Sequence, residues 1–156
     1  MEEPNHIMIT LKRTNNIDPD FLSLVEKLDK DLWKRYGQDQ QKYAPHNKLE
    51  YLDTVVIAYA DNIPAGCGCI KQFEDSITEV KRMFVEPAQR RKGIAAAILK
   101  ELETWAKELN YTHTILDTGN NQPEALSLYK KSGYLVIENY GPFAGMPEII
   151  CMKKSL

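Results

Sequence analysis

From residue 7 the chain alternates apolar and polar positions, with Ile7, Ile9 and Leu11 on one side of an extended segment over residues 7–12. A period of two predicts a strand buried on one face. The period then lengthens: Phe21, Leu24, Val25, Leu28, Leu32 and Tyr36 recur at three- and four-residue steps, the stripe of an amphipathic helix. Asp18 and Pro19 stand where an N-cap and a first helical residue belong, and Gly37 ends the pattern. Residues 38–47 are polar around Tyr43, Pro45 and His46 and read as a short second helix or a loop. Two apolar runs, 54–59 and 65–73, flank Asp61-Asn62-Ile63-Pro64 and predict a hairpin. The return run contains Gly66-Cys67-Gly68-Cys69, side chains so small that they imply tight packing against a neighbouring helix. A turn at Glu74-Asp75-Ser76 leads into a strand over 77–85.

A second helical stripe follows, Ile94, Ile98, Leu102, Trp105 and Leu109, with Asn110 placed to close it in the left-handed conformation. Residues 114–117 make a short buried strand. Thr118 to Pro123 make a loop, and Ala125, Leu128, Tyr129 and Ser132 share the face of a third stripe that ends at Gly133. Strands over 134–137 and 148–152 enclose a loop over 139–147. The order β, α (α), β, β, β, α, β, α, β, β predicts one mixed α/β domain over residues 1–156, a sheet with helices on both faces.

Between the strand at 77–85 and the second stripe lies Gln89-Arg90-Arg91-Lys92-Gly93-Ile94-Ala95. The first turn of a helix carries orphan amides and partial positive charge, which a Ser, Thr, Asp or Asn cap and nearby acids usually satisfy. This start has neither, and adds three cations where the dipole disfavours them. It suits an external anion, a phosphate or pyrophosphate, with glycine allowing close approach. The G-x-x-x-x-G-K-[ST] and G-x-G-x-x-G turns are both absent.

Arg90-Arg91-Lys92-Gly93-Ile94-Ala95 instead fits Q/R-x-x-G-x-G/A, and the chain resembles the GNAT superfamily of acyl-CoA-dependent N-acyltransferases. The likeness spans nearly the whole element order and is strongest from Glu79 to about Tyr134, as in small bacterial members, including Gln122-Pro123-Glu124-Ala125 and Leu128 to Tyr134. It implies a central, mixed, mostly antiparallel twisted sheet. It also implies that backbone groups of Met83, Phe84 and Val85 hold the pantetheine arm of acetyl-CoA, and that Arg90, Arg91, Lys92, Gly93, Ile94 and Ala95 hold its pyrophosphate. Gln122 replaces a commoner asparagine near the pantetheine, and Asn120 or Asn121 would be substitutes.

The implied reaction is acetyl transfer from the thioester to a primary amine by direct attack in a ternary complex. An alkyl ammonium has a pKa of about 10 and must lose a proton first, while the departing thiolate gains from a donor. Tyr129 matches a family tyrosine facing the sulfur and is the donor candidate; the alternative is a core tyrosine satisfied elsewhere. Glu79 matches a glutamate that acts through water in some members and is the base candidate; a solvated strand carboxylate is the alternative. Strict alternation puts Glu79, Lys81, Met83 and Val85 on one face and Val80, Arg82 and Phe84 on the other, unless a bulge intervenes. Tyr36, Tyr43, Tyr140 and Phe143 are candidates to line the amine pocket.

Composition narrows this further. The 156 residues are 43% hydrophobic with a formal charge of −2, so neither nucleic acid nor a membrane surface is an expected partner. No apolar run reaches membrane-spanning length and the first residues are polar, which points to the cytoplasm. Three cysteines without metal spacing read as buried hydrophobes of a reducing compartment, and the scattered histidines suggest no metal. A Cys nucleophile would lack a nearby base. A homodimer is compatible with the sequence. An idle acyl-CoA-binding module, a peptide-amine acetyltransferase and a basic-turn nucleic-acid binder remain the rival readings.

Overall fold

The computed structural model describes residues 7–37 and 51–156. The expected second helix or loop over 38–47, with Tyr43, lies outside the described residues. Strand β1 (Ile9–Thr14) leads to helix α1 (Pro19–Tyr36), then to β2 (Val55–Ala60), β3 (Ile63–Glu74) and β4 (Ile77–Val85). Helix α2 (Ile94–Glu108), β5 (His113–Gly119), α3 (Pro123–Lys131), β6 (Leu135–Ile137) and β7 (Ile149–Ser155) follow. The strands form one seven-stranded sheet in the order β1-β2-β3-β4-β5-β7-β6. Every neighbouring pair is antiparallel except β4 and β5, which run parallel across the α2 crossover. The predicted mixed, mostly antiparallel sheet with helices on both faces is what forms.

The helices cover opposite faces because β2 and β3 are apolar on both. Phe21, Leu24 and Leu28 of α1 bury against Val55, Ile57, Cys67, Cys69 and Phe84. Ile94, Ile98, Leu99, Leu102 and Ala106 of α2 bury against Val56, Ala58, Ala65, Val80 and Val85, in a core that also takes Leu116, Tyr129 and Tyr134. Gly66 and Gly68 let α2 approach closely, as expected from their size. A Cβ on Gly66 would lie 2.8 Å from the Phe84 carbonyl and 3.1 Å from Ile98, and one on Gly68 3.0 Å from Leu102.

Several strand ends move, β5 running on to Gly119 and β7 to Ser155 in place of the predicted ends at 117 and 152, and three further shifts bear on packing and the site. The first strand starts at Ile9 rather than residue 7, because Ile9 is the first residue to pair with β2. It is an edge strand, so Ile7 and Leu11 both keep 38% of their surface exposed. The hairpin turn is only Asp61-Asn62, both at positive φ (49° and 69°), as in a two-residue turn matching strand twist, so Ile63 already belongs to β3. The third shift, in β4, shapes the candidate site.

Candidate active site

Between Cys67↔Phe84 and Cys69↔Lys81 the register of β3 with β4 slips, leaving one extra residue in β4. Arg82 absorbs it at φ 58°, a left-handed conformation costly for a side chain of its size. Side-chain bonds hold the bulge. Arg82 Nη1 donates to Asp29 Oδ1 of α1 at 2.8 Å, and the Cys67 and Cys69 thiols donate to the Arg82 and Lys81 carbonyls at 3.4 Å. Burial pushes the Cys69 thiol up to about 12 and raises Cys67 further, so both remain thiols. The slip changes the phase of the strand. Phe84 turns to the α1 face, which also carries Lys81, while Met83 and Val85 join Val80 on the α2 face. The alternation expected from Glu79 to Val85 therefore fails beyond the bulge.

The same strand parts from its other neighbour. Parallel pairing of β4 with β5 ends at Glu79↔Ile115, although both strands continue. A cavity opens in that gap, lined by Val80 to Met83 on one side and Asp117 to Gly119 on the other, with Gln122 and Tyr129 among its walls. Strand backbone that faces such a gap has polar groups to offer a ligand.

At the far end of β4 the chain reaches α2 through the basic turn. Gly93 is the N-cap at φ 79°, with no capping side chain and no acid in the first turn. Arg91 is also left-handed, at φ 66°. Arg91, Lys92 and Gly93 are exposed, and nothing stands within 4 Å of a Cβ built on Gly93. Arg90 is different: its Nε donates to the Val85 carbonyl at 2.9 Å and its guanidinium lies 5.9 Å over the Phe84 ring. It braces the strand end. Ile94 is buried and Ala95 half-buried against the core.

The opposite wall comes from α1, α3 and the late loop. Tyr36, in the last turn of α1, places its hydroxyl over Gly119, where any Cβ would overlap it, and accepts from Gln122 Nε2 at 3.3 Å. Arg35 ties the same turn to the start of α3, through the Asn121 carbonyl at 3.0 Å and the Glu124 carboxylate. Asn120 and Asn121 are exposed, so of the three candidate amides Gln122 is the one on the cavity wall. Asn139 Nδ2 staples the late loop by donating to the Met146 carbonyl at 2.8 Å and to those of Phe143 and Ile149 at 3.1 Å. That holds Tyr140 against Phe143, with ring centroids 5.9 Å apart, and Phe143 lines the cavity.

Tyr129 is 6% exposed, its ring edge-on to Tyr134 at 5.8 Å. Burial and, secondarily, the Asp117 carboxylate raise its phenol far above the ordinary value, so it stays protonated. Glu79 is 9% exposed and uses both oxygens: Tyr140 Oη donates to Oε2 at 2.8 Å, and Lys81 Nζ lies 3.3 Å from Oε1. Two residues that the sequence reading passed over share this space. Thr118 Oγ1 is buried on the cavity wall without a hydrogen-bond partner among the described residues. Asp117 is pushed up to about 6, chiefly by burial and further by Glu79, against the opposing pull of Lys81 and its own backbone amide. A charged residue in an interior strand was the available signal for it.

The sequence profile of the acetyltransferase (GNAT) family matches residues 20–134. An IAA acetyltransferase of Azospirillum brasilense is 29% identical over 150 residues, covering 95% of this chain and 98% of its own. An uncharacterized N-acetyltransferase of Schizosaccharomyces pombe is 27% identical, over 90% of each chain. Among solved structures, a Klebsiella pneumoniae protein described as an acyl-CoA N-acyltransferase superposes with a TM-score of 0.74 at 25% identity, covering 96% of this chain and 97% of that one. A GNAT acetyltransferase of Elizabethkingia anophelis with acetyl-CoA bound shares the fold, with a TM-score of 0.67, 21% identity and coverage of 95% and 98%.

Proposed function

The chain belongs to the acetyltransferase (GNAT) family, and from that premise we propose that it moves an acetyl group from acetyl-CoA to a primary amine of a small molecule. The observation that carries the proposal is the pairing of an uncapped, cationic start of α2 with a neighbouring gap in the sheet. The amides of Gly93, Ile94 and Ala95 would take the pyrophosphate, with exposed Arg91 and Lys92 adding positive charge. Pantetheine would run along the backbone of Met83, Phe84 and Val85. Gln122, with Asn120 and Asn121 at its margin, and the spare Thr118 hydroxyl would meet it from the other side of the gap.

The thioester would then reach the gap with Tyr129 near its sulfur. Tyr36, Tyr140 and Phe143 would wall the amine, and Glu79 would supply negative charge where an ammonium arrives. The ammonium gives up one proton and its nitrogen lone pair attacks the carbonyl carbon. The C–S bond breaks as the carbonyl re-forms, and sulfur leaves as thiolate. Tyr129 protonates the sulfur and regains a proton from the acylated nitrogen. One ammonium and one thioester thus give one amide, one thiol and one released proton. Burial keeps the Tyr129 phenol protonated in the free protein, so a proton is on hand, and the charge that develops on sulfur is what would draw it across.

The test is titration calorimetry with coenzyme A, followed by thiol release from acetyl-CoA with ethanolamine, putrescine, phenethylamine, glycinamide and Nα-acetyl-lysine. Saturable uptake and amine-dependent thiol release are expected. Uptake without release by any amine would leave a binding module, and no uptake would remove the proposal altogether.

A further inference from the structure

We infer that Asp117, not Glu79, takes the proton from the incoming ammonium, and that Glu79 is a positioning residue that holds Lys81 and Tyr140 around it. The inference rests on the acetyl-transfer reading of the same gap.

The first ground is placement. Asp117 pairs with Cys151 of β7, whose side chain lies in the cluster of Phe143 and Ile149. Antiparallel partners point to the same face, so Asp117 faces the wall of Tyr36, Tyr140 and Phe143, where the amine would enter. Leu116 faces the α2 core, as does Tyr129, which reaches the cavity from that side. The proton acceptor and the proton donor thus stand on opposite sides of one gap, as attack on one face of a thioester and departure of its sulfur require.

The second ground is the state of the two carboxylates. Both Glu79 oxygens are already engaged, Oε2 by the Tyr140 hydroxyl and Oε1 by Lys81 Nζ, so neither is left open to an incoming amine. Asp117 accepts, among the described residues, from its own backbone amide and from no other side chain. It lines the cavity and keeps lone pairs for a ligand. The groups facing it are Glu79 and Lys81 of β4, Cys151 of β7, Tyr129 of α3, Tyr140 of the late loop and Tyr36 of α1. Burial places its titration at about 6, close to working pH, where a base is both ionised and basic enough to accept. In the balanced step its carboxylate becomes a carboxylic acid as the ammonium becomes an amine, and it returns the proton to solvent after the amide leaves.

Two measurements on the whole protein decide this. The first is carboxyl-carbon NMR of aspartate-labelled wild type, with the Asp117 resonance identified by its loss in D117N. A midpoint near 6 is expected, and one in the ordinary range of about 4 overturns the inference. This arm needs no acceptor, so it decides even if the amine panel is silent. The second is the pH dependence of kcat/KM with the best acceptor of that panel. D117N should lose about 100-fold or more at neutral pH, and with it the rise in rate across pH 6. E79Q should keep that rise at a lower plateau. A retained rise in D117N, or its disappearance in E79Q, overturns the assignment. Unchanged coenzyme A uptake by D117N separates this outcome from failure of the functional reading, in which wild type takes up none.

Discussion

Helices α1 and α2 are of similar length, 18 and 15 residues, and begin in opposite ways. The start of α1 is closed by the protein itself. Asp18 Oδ1 accepts from the Asp20 amide at 2.9 Å, Pro19 removes one orphan donor, and Asp20 adds the negative charge the dipole favours. Lys12 then meets Asp18 Oδ2 at 2.8 Å, and Tyr59 donates to Asp20 at 2.6 Å. The start of α2 has a left-handed glycine, no capping side chain, no acid and two exposed cations. Both helices bury an apolar stripe, so packing does not separate them. The difference teaches where stability was set aside. The start of α2 is left without a cap from the chain itself, and that is where the proposed pyrophosphate would bind.

The strongest way to break that contrast is to give α2 the kind of cap α1 has. Asp tolerates the left-handed region better than most residues, and there is open space around Gly93. In Gly93→Asp a carboxylate would sit on the amides proposed for the pyrophosphate and repel it. Coenzyme A affinity should fall by about 100-fold, near 2.8 kcal/mol, while the left-handed backbone costs only about a few degrees of melting temperature. Calorimetry beside a thermal melt reads both, and full affinity in the variant would mean the anion binds elsewhere. A smaller effect is expected inside the gap. Tyr129→Phe keeps the ring that packs on Tyr134 and removes only the hydroxyl. Its kcat should drop by about 10- to 100-fold with the KM for acetyl-CoA unchanged. Turnover at the wild-type rate would return Tyr129 to the core.

What was legible in the sequence follows the same division. The α1 cap, the helical stripes, the basic turn and the small residues under α2 are local signals, written within a few positions of where they act. The β4 bulge is not local. Arg82 has no glycine-like tolerance for its backbone, and its conformation is held by Asp29 from α1 and by thiols from β3. Alternation therefore carries the faces of β4 correctly as far as Lys81 and reverses them after it. Asp117 was missed for a related reason. On its own strand it looks like a polar terminus, and its meaning comes from Glu79, Lys81 and Tyr140, which only the sheet order brings near. Tyr36 and Phe143 came from the resemblance, which lines the acceptor pocket with the first helix and the late loop, and both line the cavity. The pairing of Tyr140 with Glu79 was not legible.

The smallest expected effect lies at the closed start and sharpens the contrast from its other side. Asp18→Ala removes the cap of α1 and the partner of Lys12, which should cost about 1 kcal/mol, or a few degrees in melting temperature. Coenzyme A uptake should not change, since α1 spends its amides internally. The cost should also depend on pH. Burial alone would raise the Asp18 carboxyl, but Lys12, the Asp20 amide and Thr14 outweigh it and hold the group below its ordinary range. A folded-state value below the unfolded one of about 4 means that ionised Asp18 stabilises the fold fully above that pH, and that its contribution is lost as pH falls through the folded-state value. Wild type and Asp18→Ala should therefore differ most near neutrality and converge in acid. Equal denaturant midpoints at neutral pH would show that this cap contributes nothing. A gap that widened toward low pH would contradict the sign of the linkage.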